Sequence, residues 1–140
     1  MAALSTTAAA DPDVPECLTY WSEQLIQDLV GANWSFTEAN IDGTTCTFSA
    51  IPDTIAVFFR SSDQALFDLA KEGAGLTGTL VELTIETCTD AYLVDIGGIV
   101  IAESFSEQQG RAFNATVAVD DAVDVATSLI KTGCEGPFPS

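Results

Sequence analysis

The chain carries four cysteines, Cys17, Cys46, Cys88 and Cys134, with no CxxC pair and no histidine anywhere in its 140 residues. A structural metal site is built from closely spaced ligands, normally a CxxC knuckle or a histidine pair, and neither is present. A thiol nucleophile needs a base beside it, and no histidine can serve. Two structural disulfides in an oxidising compartment are what remains, and they mark the chain as an exported domain. Four cysteines allow three connectivities. The preferred one is Cys17–Cys46 with Cys88–Cys134, which ties the start of the first expected helix to a strand and another strand to the end of the last helix.

A chain of this length can bury roughly 70% of the surface its unfolded form exposes, so the disulfides brace a core rather than replace one. At 47% hydrophobic and 18% charged, the composition is that of a globular domain. Twenty-one acidic against four basic side chains give a net charge of −17. That field repels nucleic-acid phosphates and anionic head groups, which excludes nucleic acid and membrane-surface binding. The acidity serves solubility, or else provides an electronegative face for a cationic ligand or basic partner. The longest apolar run, Ile99 to Ala102, has the length of a strand. Contact with a membrane is therefore expected only through an N-terminal anchor that has been removed. Met1 to Leu4 lacks the basic and apolar regions of a signal peptide, and Ser5 to Asp13 is small, polar and interrupted by Pro12. Residues 1–15 are read as a flexible spacer and 16–140 as one domain, expected to be monomeric. Asn33-Trp34-Ser35 and Asn114-Ala115-Thr116 match the N-glycosylation acceptor pattern.

Apolar spacing predicts a helix from Thr19 to Val30, stopped by Gly31. Two strands follow, around Trp34–Phe36 and Thr45–Phe48, separated by Asp42-Gly43. A third strand carries Ile55, Val57 and Phe59. Ser61-Ser62-Asp63 then caps a helix whose core stripe is Leu66, Leu69 and Ala70. Alternation from Thr79 to Thr87 marks a fourth strand, ending at Cys88. Ala91–Ile96 and Ile99–Phe105 flank Gly97-Gly98, a two-residue hairpin turn, and Phe113 to Val119 alternate in the last strand. Asp120 and Asp121 open a helix through Leu129. Short turns imply antiparallel pairing, and each helix has one apolar stripe. The expected fold is α+β: an antiparallel sheet of about six to seven strands, three helices on one face, two disulfides.

Gly73 to Gly78 spells GxGxxG, but it follows a helix and opens a strand, the reverse of a dinucleotide-binding turn. Asp120, Asp121 and Asp124 lack the calcium-loop spacing and are read as helix caps. Glu82 with Glu86, or Asp95 with Glu103 across the hairpin, could pair as acid and base, though strands place such residues on solvated faces routinely. No catalytic residue, metal or cofactor is expected. The aromatic-rich first half suggests instead a binding face formed by Trp34, Phe36, Phe58 and Arg60, on the side of the sheet the helices leave open.

The segments Val57 to Ala65, Cys88 to Val94, Gly97 to Ile101 and Asp121 to Ala126 together resemble a group of actinobacterial cell-envelope domains. These comprise uncharacterised lipoproteins and the extracellular sensor domain of the mycobacterial receptor serine/threonine kinase H. The resemblance runs from Cys17 onward. It implies a two-disulfide α+β domain held outside the cell membrane that presents a cleft to an unidentified small ligand or envelope protein, and it assigns no site residues. The expected function is thus a non-enzymatic, envelope-tethered, sensor-like binding domain; the alternatives are an accessory subunit of an envelope complex and, less favoured, a carboxylate-based hydrolase.

Overall fold

A computed structural model describes residues 14–137. Seven strands form one sheet: β1 (Ser35–Ala39), β2 (Thr45–Ala50), β3 (Asp53–Ser61), β4 (Thr79–Glu82), β5 (Asp90–Ile96), β6 (Ile99–Ser106) and β7 (Arg111–Val117). Their order across the sheet is β1-β2-β3-β7-β6-β5-β4, with every pair antiparallel. Two meanders, β1–β3 and β4–β7, are thus sealed together along β3 and β7. The helices are α1 (Cys17–Tyr20), α2 (Glu23–Val30), α3 (Gln64–Ala74) and α4 (Ala122–Glu135). The α+β class and the antiparallel sheet are as the sequence predicts, and so is the pairing Cys17–Cys46 and Cys88–Cys134, with Cα atoms 5.9 and 5.3 Å apart. No described cysteine is free, which fits an extracytoplasmic protein. Among the described residues no helix is long and apolar enough to cross a membrane.

Alternation along the strands sends Phe48, Ile55, Val57, Phe59, Phe113, Ala115 and Val117 to an inner face, where they are buried. There they meet α1, α2 and α4 in the main core. Trp21 donates its indole N–H to the Leu129 carbonyl at 2.9 Å, and Ser104 donates its hydroxyl to Ile130 at 3.0 Å, so α4 is fixed in register as well as by apolar contact. Gln109 donates to the carbonyls of Gly133 and Cys134, both at 3.0 Å, which satisfies acceptors in the last turn of α4. At Gly133 the helix lies against Phe113: a Cβ there would stand 2.4 Å from the Phe113 ring. Gly133→Ala gains about 1 kcal/mol of helix propensity. Overpacking a fully buried ring costs about 1–3 kcal/mol or more, so the expected net result is a lower midpoint in urea unfolding; an unchanged or higher midpoint would contradict this packing.

Several expectations are corrected. The first helix is broken, because Trp21 leaves helical geometry to enter the core and Ser22 begins α2 afresh, its hydroxyl accepting from Leu25 N at 3.1 Å. The helices do not share one face. α3 leaves β3 at the centre of the sheet and must reach β4 at its edge, and α4 already covers β6 and β7 on the inner face. α3 therefore crosses the outer face, where Phe67 packs against Tyr92, Val94, Phe105 and Ala112 in a second core. That route also corrects its stripe: Phe67 is the one fully buried residue of α3, whereas Leu66 and Leu69 are 52% and 65% exposed. β4 stops at Glu82, and Leu83 and Ile85 pack on the core from the following loop. β7 spans Arg111–Val117, not Phe113–Val119. Finally, Asp121 takes a left-handed conformation (φ 58°) and its side chain makes no capping bond to α4.

Candidate functional site

On the outer face the register aligns Thr45, Phe58, Asn114, Glu103, Tyr92 and Glu82 in one row across six strands. α3 covers the Tyr92 end of this row, with ring centroids of Phe67 and Tyr92 5.4 Å apart. The other half, over β2 and β3, carries partly exposed Thr45, Thr47, Ser49, Ala56 and Phe58. At the boundary Glu103 is 2% exposed, and the Arg60 guanidinium reaches it past the small Ala112. Arg60 donates through Nη1 to Oε2 at 2.6 Å and through Nη2 to Oε1 at 3.2 Å; Tyr92 donates its hydroxyl to Oε1 at 2.9 Å. Burial, and then the adjacent Glu103 carboxylate, raise the Tyr92 phenol above its ordinary value, so it remains a proton donor.

At the end of the sheet where β3 begins and β5 and β7 finish, three shallow clefts run into one another. The first, about 300 Å³, lies between Leu29, Val30, Trp34 and Val125, with Asp53, Asp120 and Asp121 at its rim. The second, about 340 Å³, passes Asp53 and Asp120 to the Gly97-Gly98 turn. The third, about 460 Å³, continues past Asp95 and Asp121 to Asp124 at the start of α4. Val119 and Asp120 line all three, so the clefts form one trough with five aspartates along it. No basic side chain among the described residues borders it. Arg60, Lys71 and Arg111 are engaged elsewhere, by Glu103, Glu82 and Glu16, and Lys131 lies exposed on the second half of α4. The α4 N-terminus contributes about half a positive charge, far less than the carboxylates carry. Of the five, only Asp95 accepts a hydrogen bond within the described residues, from Gly98 N at 3.2 Å. The carboxylates are strung out rather than convergent: no group of three acidic or cysteine side chains among the described residues is placed to hold a metal ion.

The residues expected to share one binding face are divided. Trp34 is buried in the main core and shows only an edge to the trough; Phe36 packs on the inner side, 5.8 Å from Phe48 in an edge-to-face pair. Phe58 and Arg60 do share the outer face. The division follows from β1, whose register shifts between Phe36 and Glu38 and whose aromatic position faces α2. The carboxylate pairs do not form either. Asp95 stands opposite Val100 on the inner side, Glu103 stands opposite Tyr92 on the outer side, and Glu82 is bound by Lys71. Gly73 to Gly78 links α3 to β4, and Gly78 must be glycine because a Cβ would lie 2.7 Å from the Asp95 carbonyl oxygen. Of the two sequon asparagines, Asn33 is exposed and Asn114 is 9% exposed within a central strand. The trough was missed in the sequence because Asp53, Asp95 and Asp120 are far apart along the chain; the signal for it was the pair Asp120-Asp121, read as a cap. Comparison with protein-family models, with curated proteins and with solved structures gives no match for this chain.

Proposed function

We propose that this chain is a non-enzymatic, extracytoplasmic, sensor-like binding domain, tethered to the cell envelope, that takes a cationic ligand or a basic segment of a partner in the aspartate-lined trough. The observation that carries the reading is the trough itself: a concave path bordered at one end by Leu29, Val30, Trp34 and Val125, with carboxylates that form no ion pair among the described residues. A primary amine or guanidinium would sit among the carboxylates while its carbon chain lies against Val30, Trp34 and Val125. The charge of −17 draws cations to the surface from a distance and speeds their capture, an effect that salt weakens. The disulfides support the compartment, and the resemblance to envelope sensor domains supports the tether. An accessory subunit is a second reading, favoured by the exposed Leu66, Leu69 and Leu76 along α3 and its exit.

The test is an amide chemical-shift titration with spermidine and with a tetralysine peptide. Saturable shifts are expected at residues 53, 95–99 and 118–124. Asp53→Asn with Asp120→Asn removes two exposed charges, each worth up to about 1 kcal/mol, so binding should weaken by about tenfold. Shifts spread evenly over all acidic residues, or no saturation, would reject the site.

A further inference from the structure

The outer-face row contains an arrangement that the trough does not explain. A buried ion pair contributes little to stability relative to an apolar pair of the same size, since desolvation offsets its attraction. Yet Glu103 is held by Arg60 and Tyr92 at the centre of the sheet, with Arg60 still 35% exposed. What the pair does achieve is to immobilise a guanidinium at the edge of an uncovered surface. Arginine has five N–H donors and Glu103 uses two, so three remain for a ligand. Asn114 accepts from Thr116 at 3.4 Å through Oδ1, and its Nδ2 has no partner among the described residues. The Phe58 ring lies between Thr45 and Asn114 in the same row, and Thr47 and Thr116 flank Ala56 in the next.

We propose that this half of the outer face, which no described element covers and which centres on Phe58 and Arg60, binds a neutral, hydroxyl-rich saccharide. The charge distribution selects that class. An anionic ligand must approach a molecule of net charge −17, with the nearest cation already neutralised by Glu103. A cationic ligand finds only the neutralised Arg60–Glu103 pair here and a far stronger attraction at the trough. A neutral polyol is penalised by neither. Its hydroxyls match the fixed planar donors of Arg60 and the adaptable hydroxyls of the threonines, and the C–H face of a sugar ring packs on Phe58. The surface is a flat sheet, suited to an extended oligomer. Because the donors are already oriented, little ordering is required on binding.

The experiment is a titration of the ¹⁵N-labelled disulfide-bonded protein with neutral hexasaccharides of glucose, mannose and xylose, with an oligogalacturonate of equal length as the acidic comparison. Saturable shifts at Thr45, Phe58, Arg60 and Asn114 are expected with a neutral oligomer. Phe58→Ala, at a partly exposed position, should weaken binding at least tenfold and leave the spermidine titration of the trough unchanged. Arg60→Lys should weaken it severalfold, because the ammonium loses the fork that fixes the remaining donors. The proposal is overturned if no neutral hexasaccharide gives saturable shifts on this face, if the galacturonate binds more tightly, or if Phe58→Ala binds as the parent does. None of these outcomes bears on the trough, so the two readings fail separately.

Discussion

Reduction of both disulfides is expected to unfold the domain at 25 °C. Cys17–Cys46 and Cys88–Cys134 span sequence separations of 29 and 46 residues. In the chain-entropy account they contribute about 3.5 and about 4 kcal/mol, set against a typical net stability of about 5–15 kcal/mol for a whole domain. The losses should be sequential. Cys17 and Cys46 are both fully buried, while Cys88 is partly exposed, so mild reductant should open Cys88–Cys134 first. That bond joins the loop before β5 to the last turn of α4. Its loss, or Cys88→Ala with Cys134→Ala, should lower stability by about 2–5 kcal/mol and leave a folded protein, because Trp21, Ser104 and Gln109 still hold α4. Loss of the second bond frees α1 from β2 and should abolish the near-ultraviolet signal of Trp21 and Trp34. A fully reduced protein with a cooperative urea transition within about 1 kcal/mol of the oxidised one would contradict this account.

Arg60→Leu is expected to destabilise the domain by about 3 kcal/mol, toward the lower end of what removing one partner of a buried pair costs, since Arg60 is 35% exposed and water can reach part of the site. The cost comes from Glu103, which stays 2% exposed with only the Tyr92 hydroxyl to meet its charge. Adding Glu103→Leu should recover most of the loss, because the charge is gone and the space between Ala112 and Tyr92 is refilled; the Tyr92 hydroxyl then lacks its acceptor, which leaves about 1 kcal/mol outstanding. Urea unfolding of the parent, both single variants and the double variant measures the coupling. Additive effects would show that Arg60 and Glu103 do not act as a pair.

Much of the fold can be read from local pattern. The Gly97-Gly98 hairpin, the alternation of Ile55, Val57 and Phe59, and the helix cap within Ser61-Ser62-Asp63 depend on neighbours a few residues away. Phe58 was placed on the opposite side from Phe59 by period alone, and it stands there. Long-range relations were harder. Leu66 and Leu69 have helical spacing, but which stripe of α3 meets the sheet depends on the path from β3 to β4, and that path gives the contact to Phe67. Trp34 and Phe36 look like candidates for a binding face until the fold buries Trp34 in the main core and pairs Phe36 with Phe48 on the inner side.

The candidate sites show the same division. Sequence pattern marks Arg60 but not its partner: Glu103 is expected to face Asp95 across the hairpin, whereas the two lie on opposite faces. The trough depends on β3, β5 and β7 ending at the same edge of the sheet, and no local pattern records which strands become neighbours.

The sequence by itself determined the cysteine content, the charge, the strand periods and the turns, because these follow from residue type and short spacing. The tertiary structure decided which face each helix covers, which aromatics are buried, and which carboxylates meet. Those outcomes follow from strand order and from competition for one sheet face, where α4 takes the inner side of β6 and β7 and α3 is left to cross the outer one.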